Sequence, residues 1–346
     1  MLNNISDHIL LYNKSIRDAL IRLDSLGADA VLFLTDENDK LIGSLSDGDV
    51  RRGMLKGSVI SDPVENIMNR EPKFLIKGDK NFENVSRYRE LGLRVIPVVE
   101  KDKRILKVIN FRKLKSYLPL DAIIMAGGKG ERLKPLTDNI PKPMLSVGNK
   151  TIIERILDNL ILYGIDDIWI CLNYMGNVIK DYLGDGSQLD ILISYINESE
   201  PLGTIGAVSL IDNFQHEHIM VMNSDLITDL DFEKFYKYFI DQDADMVIMG
   251  VPYNVNIPYA ILQNSGNRVI SLQEKPIYTY YSNGGIYLFK KEVLELIPEE
   301  KRFDATDLIN FLLNAKKKVV TYHHNGFWLD IGRFEDLERA KELFKD

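Results

Sequence analysis

Beyond Pro119 the sequence alternates short apolar runs with segments whose apolar residues recur at helical spacing. The apolar runs include DAIIMA, IWICLN, HIMVMN and DMVIMGV, and the helical patterns include TIIERILDNLILYG, IGAVSLIDNF and FEKFYKYFIDQ. A strand that is apolar on both faces must be covered on both faces, and helices between successive strands supply that cover. The alternation predicts an α/β domain over residues 120–346 with a mostly parallel, doubly wound sheet. Weaker strand patterns at AILQNSG and RVISLQEKP predict an antiparallel insertion.

The N-terminal third contains two similar half-units, about residues 1–60 and 61–117. In the first, SIRDALIRLDSLG precedes VLFL and LIGSLSDGDVRRGM; in the second, ENVSRYRELG precedes RVIPVV and ILKVINFRKLKSYL. Each pattern predicts helix, strand, turn, strand and helix. Neither half-unit is large enough to bury a good core alone, so we expect the two to pack together as an α+β pair.

Length, charge and cysteine content limit the class of protein. The 346 residues fit two domains, and the net charge of −8 argues against nucleic acid as a partner. The single cysteine, Cys171, excludes an internal disulfide and suits a reducing compartment. The N-terminal residues lack a signal-peptide pattern, and no apolar run approaches the ~20 residues of a membrane helix. We therefore expect a cytoplasmic protein with no membrane partner.

A glycine-rich turn directly follows the apolar run DAIIMA. Its residues are Gly127, Gly128, Lys129 and Gly130. Glycines let backbone N–H groups approach an anion closely, so such a turn can hold phosphates. The same string, AGGKGERLKPLTDNIPKPM, adds the planar guanidinium donors of Arg132 and the proline-flanked Lys142. Two cations beside a glycine turn in an acidic chain favour triphosphate binding.

Asp225 follows the apolar run HIMVMN. Open α/β sheets bind ligands at the carboxyl ends of their strands, and Mg²⁺ prefers one or two carboxylates with phosphate oxygens. Asp225 is therefore a candidate Mg²⁺ ligand, with an Asx turn as the alternative. Two further segments are ambiguous from their residues alone. EPLGT is as typical of an ordinary helix start with Thr204 as N-cap as it is of a binding loop. EKP at 274–276 is just as typical of a surface Glu–Lys ion pair.

The string AGGKGERLKPLTDNIPKPM resembles the nucleotide-binding signature of the sugar-1-phosphate nucleotidyltransferases, and the similarity runs from about residue 120 to the C-terminus. The resemblance implies a Rossmann-like nucleotidyltransferase core with a sugar-binding half. It assigns NTP binding to Gly127, Gly128, Lys129, Gly130, Arg132, Lys142, Glu198 and Gly203. It assigns sugar-phosphate binding to Thr204, Glu274, Lys275 and Asn283, and Mg²⁺ to Asp225 and Asp330. Ala260 departs from the glycine that relatives often have, which leaves one backbone contact to the sugar open.

The implied reaction is in-line attack of a sugar 1-phosphate on the α-phosphorus of an NTP, which releases pyrophosphate. It needs no protein nucleophile, because catalysis consists of positioning two repelling phosphates and neutralising charge. The residues expected to do this are Arg132, Lys142, Asp225 and Lys275. A non-catalytic nucleotide sensor is the alternative from another class, but it predicts loss of one or more of these residues or Asp330, and all five are present.

The identity of the base and the sugar is less constrained. The run YINESEPLGTIGA resembles the guanylyltransferase branch, and the Glu198 carboxylate can accept the two adjacent donors of guanine. GTP is therefore favoured, while uridylyl, thymidylyl and cytidylyl transfer stay open. Mannose, glucosamine and glucose 1-phosphates all fit.

The string SDGDVRR and the paired half-units resemble a tandem of CBS domains. That resemblance implies an adenine nucleotide held by Ser46 and Asp49, or a scaffold for dimerisation without a ligand. Asn110 and Lys113 stand at the equivalent positions of the second half-unit, so we expect at most one such site. We expect a homo-oligomer.

Overall fold

Two small sheets of the same topology form the N-terminal third of the computed structural model, which describes residues 5–78 and 82–345. The first half-unit contains β1 (Ile9–Leu11), α1 (Ile16–Leu26), β2 (Val31–Thr35), β3 (Leu41–Ser46) and α2 (Asp47–Leu55). The second contains β4 (Leu75–Ile76), α3 (Phe82–Glu90), β5 (Val95–Val99) and β6 (Ile105–Asn110). In both sheets the first strand pairs parallel with the second, and the second pairs antiparallel with the third.

The two half-units meet at equivalent turns. Lys40 and Arg104 form an antiparallel bridge, and the Leu41 amide donates to the Lys103 carbonyl at 2.9 Å. Phe33 and Val95 belong to one buried cluster that both sheets share. Each half-unit thus has a buried cluster of its own, and the two also share this smaller one.

The helix predicted at the end of the second half-unit is not formed, and this expectation was wrong. After β6 the chain makes a single turn on the Asn110 carbonyl. The Lys115 amide then donates to the Leu162 carbonyl of the C-terminal domain at 2.7 Å. Because the backbone bonds to another element here, the helical spacing of FRKLKSYL is overridden by tertiary contacts.

The C-terminal domain confirms the predicted α/β core with a parallel-rich sheet. Its strands are β7 (Asp121–Ala126), β8 (Ser146–Val147), β9 (Lys150–Thr151), β10 (Asp167–Leu172), β11 (Leu192–Asn197), β12 (His218–Asn223), β13 (Leu226–Thr228), β14 (Met246–Asn256), β15 (Ile261–Ser265), β16 (Arg268–Gln273), β17 (Ile277–Lys290), β18 (Val319–His323) and β19 (Trp328–Asp330). Its α-helices are α4 (Ile152–Leu162), α5 (Gly176–Leu183), α6 (Phe232–Asp241), α7 (Ala305–Asn314) and α8 (Phe334–Leu343).

Seven strands form the central sheet in the order β11-β10-β7-β12-β17-β14-β18, and β17 alone runs antiparallel to its neighbours. The chain passes from β7 outward to β10 and β11, then returns to the other side of β7 to form β12. The strand order therefore reverses at β7. Crevices for ligands form at the carboxyl ends of strands at such a point.

Local sequence explains α4, which packs behind this crevice. The Thr151 hydroxyl accepts from the Glu154 amide, and the Glu154 carboxylate accepts from the Thr151 amide at 2.7 Å, which closes a capping box. Ile152, Ile156 and Leu160 are buried on one face of the helix. The predicted antiparallel insertion is the β15–β16 hairpin.

The helix predicted at IGAVSLIDNF is only a 3-10 helix, Gly206–Leu210. The amides of Ile205 and Gly206 donate to the Phe303 carbonyl at 3.2 and 3.0 Å. That contact to a distant segment replaces the first helical turn. In the described part of the chain, no helix is both long and apolar enough to cross a membrane.

Candidate active site

The glycine turn begins where β7 ends. A Cβ on Gly127 would lie 3.0 Å from Glu198 Oε1 and 3.2 Å from Asn173 Cβ, so a side chain there would have to displace its neighbours. Gly130 has φ of 62° and its Cβ would meet Thr137 Cγ2 at 2.9 Å. A Cβ on Gly128 would meet nothing within 4 Å. Backbone conformation and packing thus favour glycine at 130, and a side chain at 127 would crowd Glu198 and Asn173. At 128 glycine leaves an open, exposed stretch of backbone beside Lys129.

Lys142 is brought back to the carboxyl edge of the sheet by the loop that follows this turn. Its side chain is only 10% exposed, and its Nζ lies 2.5 Å from Asp225 Oδ2 and 3.8 Å from Asp330 Oδ1. The two aspartates meet because β13 pairs with β19, which places Leu226 opposite Asp330. Asp225 lies two residues beyond the end of the buried strand β12. One ammonium therefore faces two carboxylates that are distant in sequence.

Each carboxylate keeps a buried oxygen that accepts no hydrogen bond from the described residues. These oxygens are Asp225 Oδ1 and Asp330 Oδ1, of which the second lies 3.8 Å from the Lys142 ammonium. Burial raises the pKa of Asp330, and the neighbouring Asp225 carboxylate raises it further, against the opposing effect of Lys142 and Arg132. Paired acids whose buried oxygens lack hydrogen bonds fit a divalent cation.

A cation at this position would depend on its substrates for ligands. The described residues contain no group of three or more His, Cys, Asp or Glu side chains arranged to hold a metal. Mg²⁺ usually binds one or two carboxylates and completes its shell with phosphate oxygens and water. Asp225 and Asp330 fit that pattern.

Arg132 lies beside the backbone that follows Asp330. A Cβ on Gly332 would be 3.4 Å from an Nη atom of Arg132, so the guanidinium lies against the backbone that follows β19. Arg132 itself is exposed. The site therefore combines one buried cation, Lys142, with one accessible cation at its edge.

Glu198 forms the wall of the site next to the turn. Its Oε2 accepts from the Leu202 amide at 3.0 Å, while Oε1 faces Gly127. Burial raises the pKa of the Glu198 carboxyl, despite the hydrogen bond from Leu202. One oxygen of the Glu198 carboxylate is thus hydrogen-bonded to the loop that contains Leu202, and the other faces the glycine turn.

Gly203 and Thr204 are fastened to the start of α7. Gly203 has φ of 85°, and a Cβ there would lie 2.7 Å from the Phe303 carbonyl oxygen. The Thr204 amide donates to Asp304 Oδ1 at 2.9 Å, and the Thr204 hydroxyl accepts from the Ala305 amide at 2.8 Å. The Thr204 hydroxyl therefore accepts a hydrogen bond from the first residue of α7. The alternative in which Thr204 is the N-cap of a helix beginning at 205 was wrong.

The predicted sugar-phosphate residues of the EKP segment make no ion pair with Asp225, Asp330 or Lys142. Glu274 and Lys275 are exposed between β16 and β17. Asn283 lies on β17 opposite Gly250, and its Oδ1 accepts from the Gly285 amide at 3.0 Å.

A comparison with known protein families matches residues 121–346 to the family described as nucleotidyl transferase. The chain belongs to the nucleotidyl transferase family. The matched segment begins at the first residue of β7 and includes every residue of the site described above.

Several curated nucleotidyl transferase relatives are similar to this segment. The bifunctional protein GlmU of Methanocaldococcus jannaschii is 33% identical over 234 residues, which cover 66% of this chain and 55% of the relative. The mannose-1-phosphate guanylyltransferase of Mycobacterium tuberculosis is 29% identical over 229 residues, covering 64% and 63%. The chain thus spans little more than half to about three fifths of these relatives.

Other relatives differ in the base that their names state. They include a UTP--glucose-1-phosphate uridylyltransferase of Synechocystis and glucose-1-phosphate adenylyltransferases of Bacillus. Among solved structures, HddC from Yersinia pseudotuberculosis, complexed with GMP-PN, has a TM-score of 0.50 and 30% identity, covering 65% of this chain and 99% of HddC. The family is therefore clear, and the base is not decided by similarity alone.

The half-units lie outside the nucleotidyl transferase match. Ser46 and Asp49 form the capping box that begins α2, with the Ser46 hydroxyl 2.7 Å from Asp49 Oδ2 and Arg52 Nη2 2.6 Å from Asp49 Oδ1. Both line a cavity of about 540 Å³ between the half-units, with Phe33 and Ile96.

The equivalent corner of the second half-unit is occupied by the chain itself. Asn110, which corresponds to Ser46, donates to Asp29 Oδ2 at 2.7 Å. Arg112 donates to the other oxygen of Asp29 at 3.0 Å. The Asp29 carboxylate thus accepts the hydrogen bonds of Asn110 and Arg112 at this position. The two half-units therefore differ here, although their topology is the same.

Two residues of the nucleotidyl transferase site were not predicted. Asp304 holds the Thr204 backbone, and Gly332 receives the Arg132 guanidinium. Neither carries a local signal, because each acts on a segment at least 100 residues away. Cys171 plays no part as a nucleophile, since it is buried in β10 and burial raises the pKa of its thiol.

Proposed function

We propose that the protein transfers a nucleotidyl group from an NTP to a sugar 1-phosphate and releases pyrophosphate. The observation that carries this proposal is the Lys142 ammonium between the carboxylates of Asp225 and Asp330, next to the glycine turn, where a Cβ on Gly130 would lie 3.3 Å from Lys142 Cβ. This arrangement lies where the strand order reverses, which is where nucleotide sites form in such sheets. It collects the charges that a reaction between two phosphates requires.

The chain's own residues then act by position and charge. The backbone at Gly128, with Lys129, holds the triphosphate, and Arg132 at the edge of the site binds the departing pyrophosphate. Lys142 holds the attacking phosphate, and Gly203 and Thr204 form the loop beneath it. Asp225 and Asp330 would hold a Mg²⁺ ion, which would neutralise phosphate charge when bound.

Lys142 has a second part in this scheme. In the free protein its ammonium offsets the repulsion between the carboxylates of Asp225 and Asp330. The ion pair keeps the site assembled before the substrates arrive.

Glu198 favours GTP as the nucleotide. Guanine presents two adjacent N–H donors on its Watson–Crick edge, and a carboxylate only accepts hydrogen bonds, so the two match. Glu198 Oε1 faces the glycine turn, and its other oxygen is fixed by Leu202. The structural relative solved with GMP-PN supports the same base. Uridylyl, thymidylyl and cytidylyl transfer are the alternatives.

The sugar phosphate is proposed to bind towards Asn283, with Glu274 on the sugar hydroxyls and Lys275 on its phosphate. Glu274 and Lys275 are both exposed and therefore accessible to a ligand. Mannose, glucosamine and glucose 1-phosphates are the candidates.

A pyrophosphate-release screen tests the proposal. GTP, UTP, dTTP, CTP and ATP are each incubated with mannose, glucosamine or glucose 1-phosphate in Mg²⁺. We expect release only when both substrates are present, with GTP the fastest nucleotide. GTP binding without release from any pair would instead support the non-catalytic sensor.

The cavity between the half-units supports a second function, regulation by an adenine nucleotide at Ser46 and Asp49. The ligand-free alternative is a scaffold for dimerisation. Initial rates with and without AMP or ATP separate the two, when measured on the full chain and on Asp49→Ala. Regulation predicts a nucleotide effect that the variant loses, and a scaffold predicts no effect in either protein.

A further inference from the structure

Glu198 lies one residue beyond the end of β11, an edge strand of the central sheet. Among the described strands β11 pairs only with β10, and Asn197 lies opposite Leu172, the last residue of β10. The Glu198 amide still donates to the Leu172 carbonyl at 2.8 Å, but the Glu198 carbonyl lies past the end of the paired strands. Because an edge strand is supported from one side only, the direction of the Glu198 side chain needs a further contact.

The side chain of Asn173 supplies that contact. Its Nδ2 donates to the Glu198 carbonyl at 3.1 Å. If β10 continued, a backbone amide would donate at this place in the parallel ladder, but the chain turns and begins α5 at Gly176. The Glu198 amide and Oε2 are already bonded to Leu172 and Leu202, so the bond from Asn173 is the third that fixes this residue.

The turn that carries Asn173 is itself fastened to the glycine turn. The Tyr174 hydroxyl donates to the Thr137 carbonyl at 3.3 Å, and the Thr137 hydroxyl donates to the Gly130 carbonyl at 2.8 Å. At the other end, a Cβ on Gly127 would lie 3.2 Å from Asn173 Cβ. The turn between β10 and α5 therefore contacts both ends of the glycine turn, and Asn173 relates the position of Glu198 to this backbone.

We propose that Asn173 is a positioning residue for base recognition, which acts by directing the Glu198 Oε1 oxygen over the glycine turn. This inference rests on the proposed function, in which Glu198 reads the base. Guanine presents two adjacent N–H donors, and hydrogen bonds weaken steeply when they are misaligned, so a small shift of the carboxylate weakens GTP binding. Uracil presents a single N–H between two carbonyls and gains little from a carboxylate. Asn173 therefore sets how strongly GTP is preferred over UTP.

Equilibrium binding of GTP and of UTP to the full chain in Mg²⁺, without a sugar phosphate, tests the proposal. Asn173→Leu removes the amide donor and keeps most of the side-chain volume, and Asn173→Ala removes the donor without a branched side chain. In each variant we expect the ratio of Kd for UTP to Kd for GTP to fall about threefold to tenfold, the usual effect of losing one hydrogen bond. Asn159→Leu is the matched control, because Asn159 Nδ2 also donates to a strand carbonyl, that of Thr228, at 3.4 Å. This control should keep the natural ratio.

The same substitution in a Glu198→Ala background shows whether Asn173 acts through Glu198. There we expect Asn173→Leu to change the Kd ratio less than about twofold, because coupled residues are not additive. A residue needed only for folding would instead raise both Kd values equally, with a lower Tm. Equal binding of GTP and UTP by the natural protein, an unchanged ratio in both Asn173 variants, or the same fall in the Glu198→Ala background would each overturn the proposal. Because binding is measured without turnover, a failure to release pyrophosphate would count against the proposed reaction alone.

Discussion

The Lys142 ammonium lies 2.5 Å from the Asp225 carboxylate, although 83 residues separate the two in sequence. This ion pair joins the loop that follows the glycine turn to the end of β12, and Asp330 is within 3.8 Å of the same ammonium. The pair is largely buried on the lysine side, so its removal leaves two close carboxylates without their counter-charge. The predictions below start from this cluster.

Replacing Lys142 with methionine should lower kcat for pyrophosphate release by about 10²–10³, the usual effect of losing one preorganised charge in a site. Methionine keeps much of the side-chain volume, so the loop can still pack. Lys150→Met is the matched control, because Lys150 pairs with Asp158 at an exposed position. Equal kcat values for the two variants would show that Lys142 has no catalytic part.

Alanine at Gly128 should weaken nucleotide binding, whereas alanine at Gly203 should destabilise the fold. A Cβ at 128 meets nothing, so Gly128→Ala should leave Tm unchanged while raising KM for the NTP, because it covers backbone that approaches phosphate. A Cβ at 203 meets the Phe303 carbonyl at a positive φ, so Gly203→Ala should lower the free energy of unfolding by about 2 kcal/mol or more. Thermal melts and steady-state kinetics on both variants check this, and a large loss of Tm in Gly128→Ala would contradict it.

Glu198→Gln should change the preferred nucleotide. Glutamine offers one donor and one acceptor, which matches uracil, whereas the carboxylate matches guanine. We expect the ratio of kcat/KM for GTP over UTP to fall at least tenfold.

The same variant tests a pH dependence. Burial raises the pKa of Glu198, and guanine requires the ionised carboxylate, so KM for GTP should rise as the pH falls towards that pKa. Glutamine does not titrate, and this part of the pH profile should vanish in Glu198→Gln. An unchanged base preference and an identical pH profile would remove Glu198 from base recognition.

In the presence of an NTP, which supplies phosphate ligands, Mg²⁺ should stabilise the protein through Asp225 and Asp330. A ligand that binds only the folded state at about 100 times its Kd adds about 2.7 kcal/mol to the free energy of unfolding, and Tm rises accordingly. Asp330→Asn should abolish this Mg²⁺-dependent rise, because an amide is a weaker ligand for Mg²⁺. Asp158→Asn, at an exposed position, should retain it. Equal Mg²⁺ responses in the two variants would place the cation elsewhere.

Part of the fold and of the site could be predicted from local sequence patterns. Apolar runs separated by helical segments predicted the parallel-rich sheet, because a strand buried on both faces leaves a continuous apolar signature. Asp225 and the glycine turn could be located as candidates because both follow such runs directly, and the carboxyl ends of parallel strands share one edge. Their roles stay predictions.

Other features depend on distant contacts that local pattern does not contain. Asp330 joins the site through the short β13–β19 ladder, outside the central sheet, and only the family resemblance pointed to it. Asp304 fixes Thr204 across 100 residues, and the same segment changes a predicted helix into a 3-10 turn. The strands β1 and β4, of three and two residues, are too short to leave an alternating pattern.

The most direct test of the account is the turnover of Asp225→Asn beside the natural protein, in saturating Mg²⁺, GTP and the sugar 1-phosphate that the screen identifies. Circular dichroism and Tm establish that the variant is folded. The account predicts that kcat falls by about 10³ or more, because the substitution removes both a cation ligand and the partner of Lys142. A folded Asp225→Asn protein that releases pyrophosphate at nearly the natural rate would contradict it.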